Sequence, residues 1–286
     1  VTAFALTLIL IAAVVHATWN FLAKRASGGA AFSSLFSFLS TCLYTPIILL
    51  YAVFFPPYIG GIELIFIASS SILHVAYFLL LQQGYRVGDL SVVYPLARGT
   101  GPLLSTLGAI ALFGEHPSFI ALCGAILVIV GVFIMSGGAR LLRRQSLAQG
   151  ISYGLITGAF IAAYTLWDKQ AVSVLLIPPL IYEYSANLGR SLILAPLAWH
   201  QRDAVMREWR THRYEALGVA ALAPLSYLLV LVAMTTTPVS YVAPARELSI
   251  LIGAMMGARW LGEGETRRRL TAASVMVLGV MALAVG

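Results

Sequence analysis

The chain has 286 residues, 60% hydrophobic and 10% charged, with a mean hydropathy of +0.90 and a formal net charge of +7. Soluble domains carry roughly 25% charged residues, so an ordinary soluble enzyme is excluded and an integral membrane protein is expected. The basic residues sit in short patches between apolar runs, as in membrane proteins, which argues against nucleic acid and for a lipid bilayer as the bulk partner.

Runs of about 20 apolar residues mark candidate transmembrane helices. In chain order they fall at about 2–23, 31–54, 62–85, 89–113 and 118–137, then 150–170, 177–199, 214–235, 238–261 and 269–286. Breakers separate them: Gly28-Gly29, Pro56-Pro57, Gly88-Asp89, Gly114 to Pro117, the basic run Ala139 to Gln145, Pro178-Pro179, the charged stretch His200 to Arg213, the threonines before Pro238, and Gly262 to Arg269. The runs are too long for strands and lack period-two alternation, so a barrel is a poor fit. The first run lacks both a basic region before it and a small-residue cleavage site after it. It reads as a membrane helix, on a chain whose opening Val1 implies further residues before it. Cys42 and Cys123 lie within apolar runs and form neither a metal site nor a disulfide framework.

The fourth and ninth runs repeat one pattern. Tyr94 to Glu115 and Val242 to Glu263 each carry an Ala-Arg pair near a proline, then an apolar run ending at Gly-Glu. Arg98 to Gly114 and Arg246 to Gly262 both span sixteen positions, and Gly131-Val132 recurs 148 residues on at Gly279-Val280. This is an internal duplication: residues 1–138 form one five-helix repeat, 139–149 a basic linker, and 150–286 the second repeat. An odd number of crossings starts the second copy on the opposite side of the membrane. The expected fold is therefore all-α integral membrane, ten transmembrane helices as two inverted five-helix repeats, an architecture typical of secondary transporters. Alternate loops hold Lys24, Arg25, Arg86, Arg140, Arg143, Arg144, Arg202, Arg207, Arg210, Arg213, Arg259, Arg267, Arg268 and Arg269, against Lys169 alone in the others. That bias puts both termini outside the cytoplasm.

Arg98, Arg190 and Arg246 lie away from loops. A charge at membrane depth costs about 2.5–3.5 kcal/mol on insertion scales, so each should face a partner or a cavity. Either arginine of the repeated stretch would suit a carboxylate or phosphate, and each is equally open to a helix-tying role. Pro102 and Pro244 beside them can break the helix and free backbone groups. Helical spacing puts His74, Tyr77 and Leu81 on one stripe, with Tyr227 the repeat counterpart of Tyr77. His16, Trp19 and Asn20 share a face, as do Phe160, Tyr164 and Trp167, and Tyr94 neighbours Arg98. The expected cavity residues are Trp19, Asn20, His74, Tyr77, Tyr94, Arg98, Tyr164, Trp167, Tyr227 and Arg246; an aromatic belt facing lipid is the competing explanation for the rings. Glu183 and Arg190 lie two turns apart, Asp168-Lys169 reads as a solvated helix end, and Glu115 as a turn or loop ion pair. His74 is a candidate proton carrier, and Gly124, Gly131 and Gly279 read as packing notches. No phosphate loop, HExxH or paired-cysteine site is present, so no catalytic residue, cofactor or metal is expected.

The ten runs, the duplication and the Gly-Glu endings at Gly114-Glu115 and Gly262-Glu263 resemble the drug/metabolite transporter superfamily in its EamA branch. Within it the chain is similar to the YddG-type aromatic amino-acid exporters. The resemblance implies export of aromatic and other neutral amino acids across the bacterial inner membrane, by alternating access, through a central cavity and with a monomer expected. Related carriers of nucleotide sugars, phosphorylated sugars or cationic compounds are the alternative. An intramembrane enzyme using His74 with Glu183 is a more distant one.

Overall fold

The computed structural model describes residues 2–26, 29–87, 90–135, 147–261 and 266–286. Gly28, Gly88-Asp89, the basic run from Ala139 to Gln145 and Gly262-Glu263 lie outside the described residues. Among the described residues the chain is helical throughout: α1 Ala3–Arg25, α2 Ala30–Phe54, α3 Gly61–Val87, α4 Leu90–Phe113, α5 Phe119–Met135, α6 Leu147–Ser173, α7 Pro179–His200, α8 Arg202–Thr236, α9 Val239–Arg246, α10 Leu248–Leu261 and α11 Thr266–Val285. Six of these are long and apolar enough to cross a membrane, and α5 and α11 carry shorter apolar stretches. In hydrocarbon only helices satisfy their own backbone groups within one segment.

Local chemistry sets the helix ends. Thr2 Oγ1 accepts from Ala5 N at 3.2 Å and caps α1. Pro178 and Pro238 stand at the N-caps of α7 and α9 and stop the preceding chain from running through. The expected ninth span is two helices. Pro244 removes one backbone donor, and the chain tightens at Glu247, whose N–H reaches back to Pro244 O at 3.0 Å. One expectation is corrected here: the charged stretch His200 to Arg213 is not a loop. From Arg202 it is the first part of α8, which kinks at His212 (φ −127°, ψ 33°) before entering the bundle. Within this segment Val205 and Trp209, one turn apart, pack on the α1–α2 corner around Phe32 and Leu35.

Helices of the two halves pack mostly on each other: α1 on α8, α6 on α3 and α4, α2 on α7 and α8, and α5 on α11. With α1 matched to α6, α2 to α7, α3 to α8 and α5 to α11, α1 on α8 exchanges with α6 on α3, and α2 on α8 with α7 on α3, as duplication requires. The closest approach is α5 to α11, where a Cβ on Gly124 would stand 2.6 Å from Gly279 O and one on Gly279 would stand 2.7 Å from Gly124 O. Only glycine allows that backbone contact, which bears out the packing notches read from the sequence. Outside, Leu49, Leu50, Val53 and Phe54 of α2 and Ile62, Leu64 and Ile65 of α3 are more than half exposed, an apolar surface that a bilayer would cover.

Candidate functional site

The arginines of the repeated stretch meet inside the bundle. Arg98 comes from the first half of α4, and Arg246 ends α9 where the chain tightens. Both are buried, at 8% and 4% exposure, and between them lies Glu247, fully buried. Arg98 Nε sits 2.9 Å from Glu247 Oε2, though its N–H is not aligned for a hydrogen bond, and Arg98 Nη2 donates to Ser249 Oγ at 3.4 Å. Arg246 Nε approaches the other carboxylate oxygen only to 3.9 Å. Arg246 Nε and Nη2 are buried donors without a hydrogen-bond partner among the described residues. Two guanidiniums against one carboxylate leave a net positive site. Buried charge of this kind is costly unless its donors are used.

An aromatic wall adjoins the arginines. His74 of α3 stacks on Tyr164 of α6, with centroids 4.2 Å apart, while Tyr77 and Tyr227 meet Tyr164 edge-on at 5.7 and 6.2 Å. Tyr164 and Tyr227 lie within electrostatic reach of Arg246, Tyr77 within reach of both arginines, and Tyr94 beside Arg98. Six of the ten expected cavity residues besides Trp19, Asn20, Trp167 and Tyr94 thus form one connected group, and Tyr94 borders it through Arg98. Each stripe sits on a helix interior, so its rings turn inward at helical spacing.

Behind the wall is a second charged cluster. The reading of Asp168 as a solvated helix end is overturned: its side chain is fully buried. Oδ1 accepts from Ser70 Oγ and from Tyr182 OH, each at 2.7 Å, and Oδ2 accepts from Tyr227 OH. His74 Nε2 lies 3.8 Å from Oδ2. Helical spacing explains the burial, because Asp168 follows Tyr164 by one turn on the inward face of α6. Lys169 is likewise no loop residue. Its Nζ donates to Met234 O at 2.6 Å and Thr237 O at 3.1 Å, tying α6 to the end of α8.

The remaining expected residues lie apart. Trp19 Nε1 donates to Ser226 Oγ at 3.2 Å, joining α1 to α8. Asn20 is exposed and turns its amide onto His16 O at 2.8 Å. Trp167 stacks on Phe66 at 4.2 Å and donates to Phe66 O at 3.1 Å, pinning α6 to α3. Glu183 and Arg190 do pair directly, at 2.8 Å, so Glu183 is engaged by Arg190, and the carboxylate beside His74 is Asp168. Glu115 is a cap across the halves: it accepts from Val239 N at 2.8 Å and Ser240 N at 2.9 Å, the free donors that open α9. Gly114, at φ +63°, makes the left-handed turn that releases α4 so that Glu115 can reach them. Glu247 and Asp168 are the functional candidates that sequence reasoning missed.

Apolar helices from two like halves, closing around buried charge and aromatic rings, define an integral membrane protein with a polar interior. The model of the EamA-like transporter family matches residues 3–137 and again 148–285. The chain belongs to that family, within the drug/metabolite transporter superfamily, and is accordingly a transporter of small molecules. No curated protein matches the sequence. One solved crystal structure aligns over 98% of each chain with a TM-score of 0.76 at 12% identity, a likeness that shows the shared fold alone.

Proposed function

We propose that the protein is a secondary transporter that exports amino acids, aromatic and other neutral ones, from the bacterial cytoplasm. The observation that carries this is Arg246. A buried guanidinium with two unused donors, beside rings of three tyrosines and a histidine, suits a carboxylate whose side chain is flat or apolar. Glu247 counts against the other carriers in the superfamily. By neutralising one of the two guanidiniums it leaves room for about one negative charge, too little for a diphosphate or a phosphorylated sugar.

In this mechanism residues 1–138 and 150–286 are inverted five-helix repeats, ten crossings in all, joined by the basic linker 139–149. They rock about the site at mid-depth and expose it to each side in turn. The pairing of α1 with α8 and of α6 with α3 supports such an arrangement. The loop charge bias sets both termini outside the cytoplasm.

The test is counterflow in proteoliposomes preloaded with L-phenylalanine, challenged with amino acids, phosphorylated sugars and cationic dyes. Labelled L-phenylalanine should accumulate, and Arg246→Met should reduce its accumulation at least tenfold with the protein still inserted and monodisperse. Accumulation of a dye or sugar phosphate in its place would sink the amino-acid assignment.

A further inference from the structure

The His74–Asp168 cluster has no part in holding a carboxylate, and its geometry raises a question of protons. His74 Nδ1 lies 2.9 Å from Ser70 O. A carbonyl oxygen only accepts, so Nδ1 carries the hydrogen and Nε2 is the nitrogen left to exchange one. In the neutral ring, Nε2 would bring an unshared pair within 3.8 Å of Asp168 Oδ2. Asp168 is wholly buried, and its three donors are neutral hydroxyls, which orient the carboxylate without cancelling its charge. A proton on Nε2 would make an ion pair; a proton on the carboxylate would remove the charge. Either way the pair holds one proton more than a neutral imidazole plus a free carboxylate.

We propose that His74 and Asp168 together bind one exchangeable proton, and that the ammonium group of an amino-acid substrate displaces it, so that the carrier exchanges protons for amino acids. This rests on the amino-acid assignment above. Tyr227 connects the two clusters: its hydroxyl donates to Asp168 while its ring faces His74, 5.5 Å between centroids, within the field of Arg246. A zwitterion with its carboxylate at Arg246 would lie against Tyr227, whose hydroxyl is on Asp168, and in this proposal its ammonium reaches that carboxylate. Ammonium and proton are both cations in competition for one carboxylate, so loading substrate sends the proton from the pair to solvent, and return of the proton expels the substrate.

The other groups facing the pair are Tyr164 from α6, Tyr182, Glu183 and Arg190 from α7, Tyr227 from α8 and Arg246 from α9. Glu183 and Arg190 neutralise each other at 2.8 Å, and Lys169 spends its charge on the carbonyls closing α8. Asp168 is the carboxylate of this group held by neutral hydroxyls and an imidazole, with no cation among the described residues in contact with it.

The experiment measures L-phenylalanine binding to the purified protein across pH, with a pH-sensitive dye in weak buffer. Below the pair's titration, affinity should fall about tenfold per pH unit, as one-proton competition requires, and binding should acidify the medium. Asp168→Asn, which keeps the size but not the charge, should bind more weakly, with affinity no longer dependent on pH and no acidification, and His74→Gln, which leaves the carboxylate to hold the proton alone, should move the pH dependence to lower pH. Counterflow of L-phenylalanine without proton release, or with proton uptake, overturns the proposal and leaves the amino-acid assignment standing. If L-phenylalanine does not bind, that assignment fails, and the ¹⁵N spectrum of His74 decides the proton site. An Nε2 resonance that titrates alike in the parent protein and in Asp168→Asn overturns it.

Discussion

Glu247 offsets one of the two interior guanidiniums. Removing one partner of a buried ion pair leaves the other uncompensated and costs about 3–5 kcal/mol, whereas removing both is often nearly neutral. Glu247→Met should therefore lower the thermal midpoint in detergent sharply, and adding Arg98→Met should recover much of the loss. Strict additivity of the two changes would show that the pair is not coupled. The arginines were legible in the sequence because a guanidinium inside an apolar run is expensive and has to be explained. Glu247 was masked by the very repeat that marked Arg246. Its counterpart in the first copy is Gly99, 148 residues earlier, so the carboxylate stands where the copies differ. Asp168 was hidden in the same way. Aligning Lys24 with Lys169 sets it opposite Ala23, and its nearness to a helix end disguised a side chain that points inward. In a duplicated carrier, a charged residue present in one copy alone is the signal that would have found both.

Element boundaries were legible because each span is long, apolar and punctuated by proline, glycine or charge, signals that need no tertiary context. The first part of α8 was not, since a charged amphipathic turn and a polar loop share a composition. What separates them is Val205 and Trp209, four apart and packed on a partner the sequence does not show. The contact between α5 and α11 was legible as small residues, and it sets a sharp expectation. Gly124→Val would drive a branched side chain into Gly279 O, 2.6 Å from its Cβ, and into the backbone of Leu283. Overpacking costs about 1–3 kcal/mol when neighbours can shift. Here the neighbours are backbone, so a loss at or above the top of that range is expected. Gly253→Ala, with nothing within 4 Å of the new Cβ in the interior of α10, is the control and should hold or raise the melting temperature. Equal midpoints for the two variants would show that the helices do not meet as described.

For a carrier built of two halves, the contacts that matter most are those that must part during the cycle. One end of the bundle gathers several: Glu115 capping α9, Ser118 N donating to Tyr241 OH at 3.4 Å, and Trp167 donating to Phe66 O. The helix ends there belong to connections without lysine or arginine, the side that the proposed orientation puts outside. Under the proposed alternating access and orientation, these contacts form an outer seal that the cycle must open. Glu115 is its simplest component to remove, because its carboxylate satisfies two orphan donors and compensates the positive end of α9. Losing such a cap costs about 1 kcal/mol, and a change of that size raises an open population about fivefold. Val239, wholly buried at the first turn of α9, reports on that opening. With Cys42 and Cys123 replaced by serine, Val239→Cys should react slowly with a membrane-impermeant maleimide added outside. Adding Glu115→Ala should make it react several times faster, and L-phenylalanine should shift both rates. Equal rates with and without Glu115 would mean that the seal lies elsewhere and that the Gly-Glu turn only ends α4.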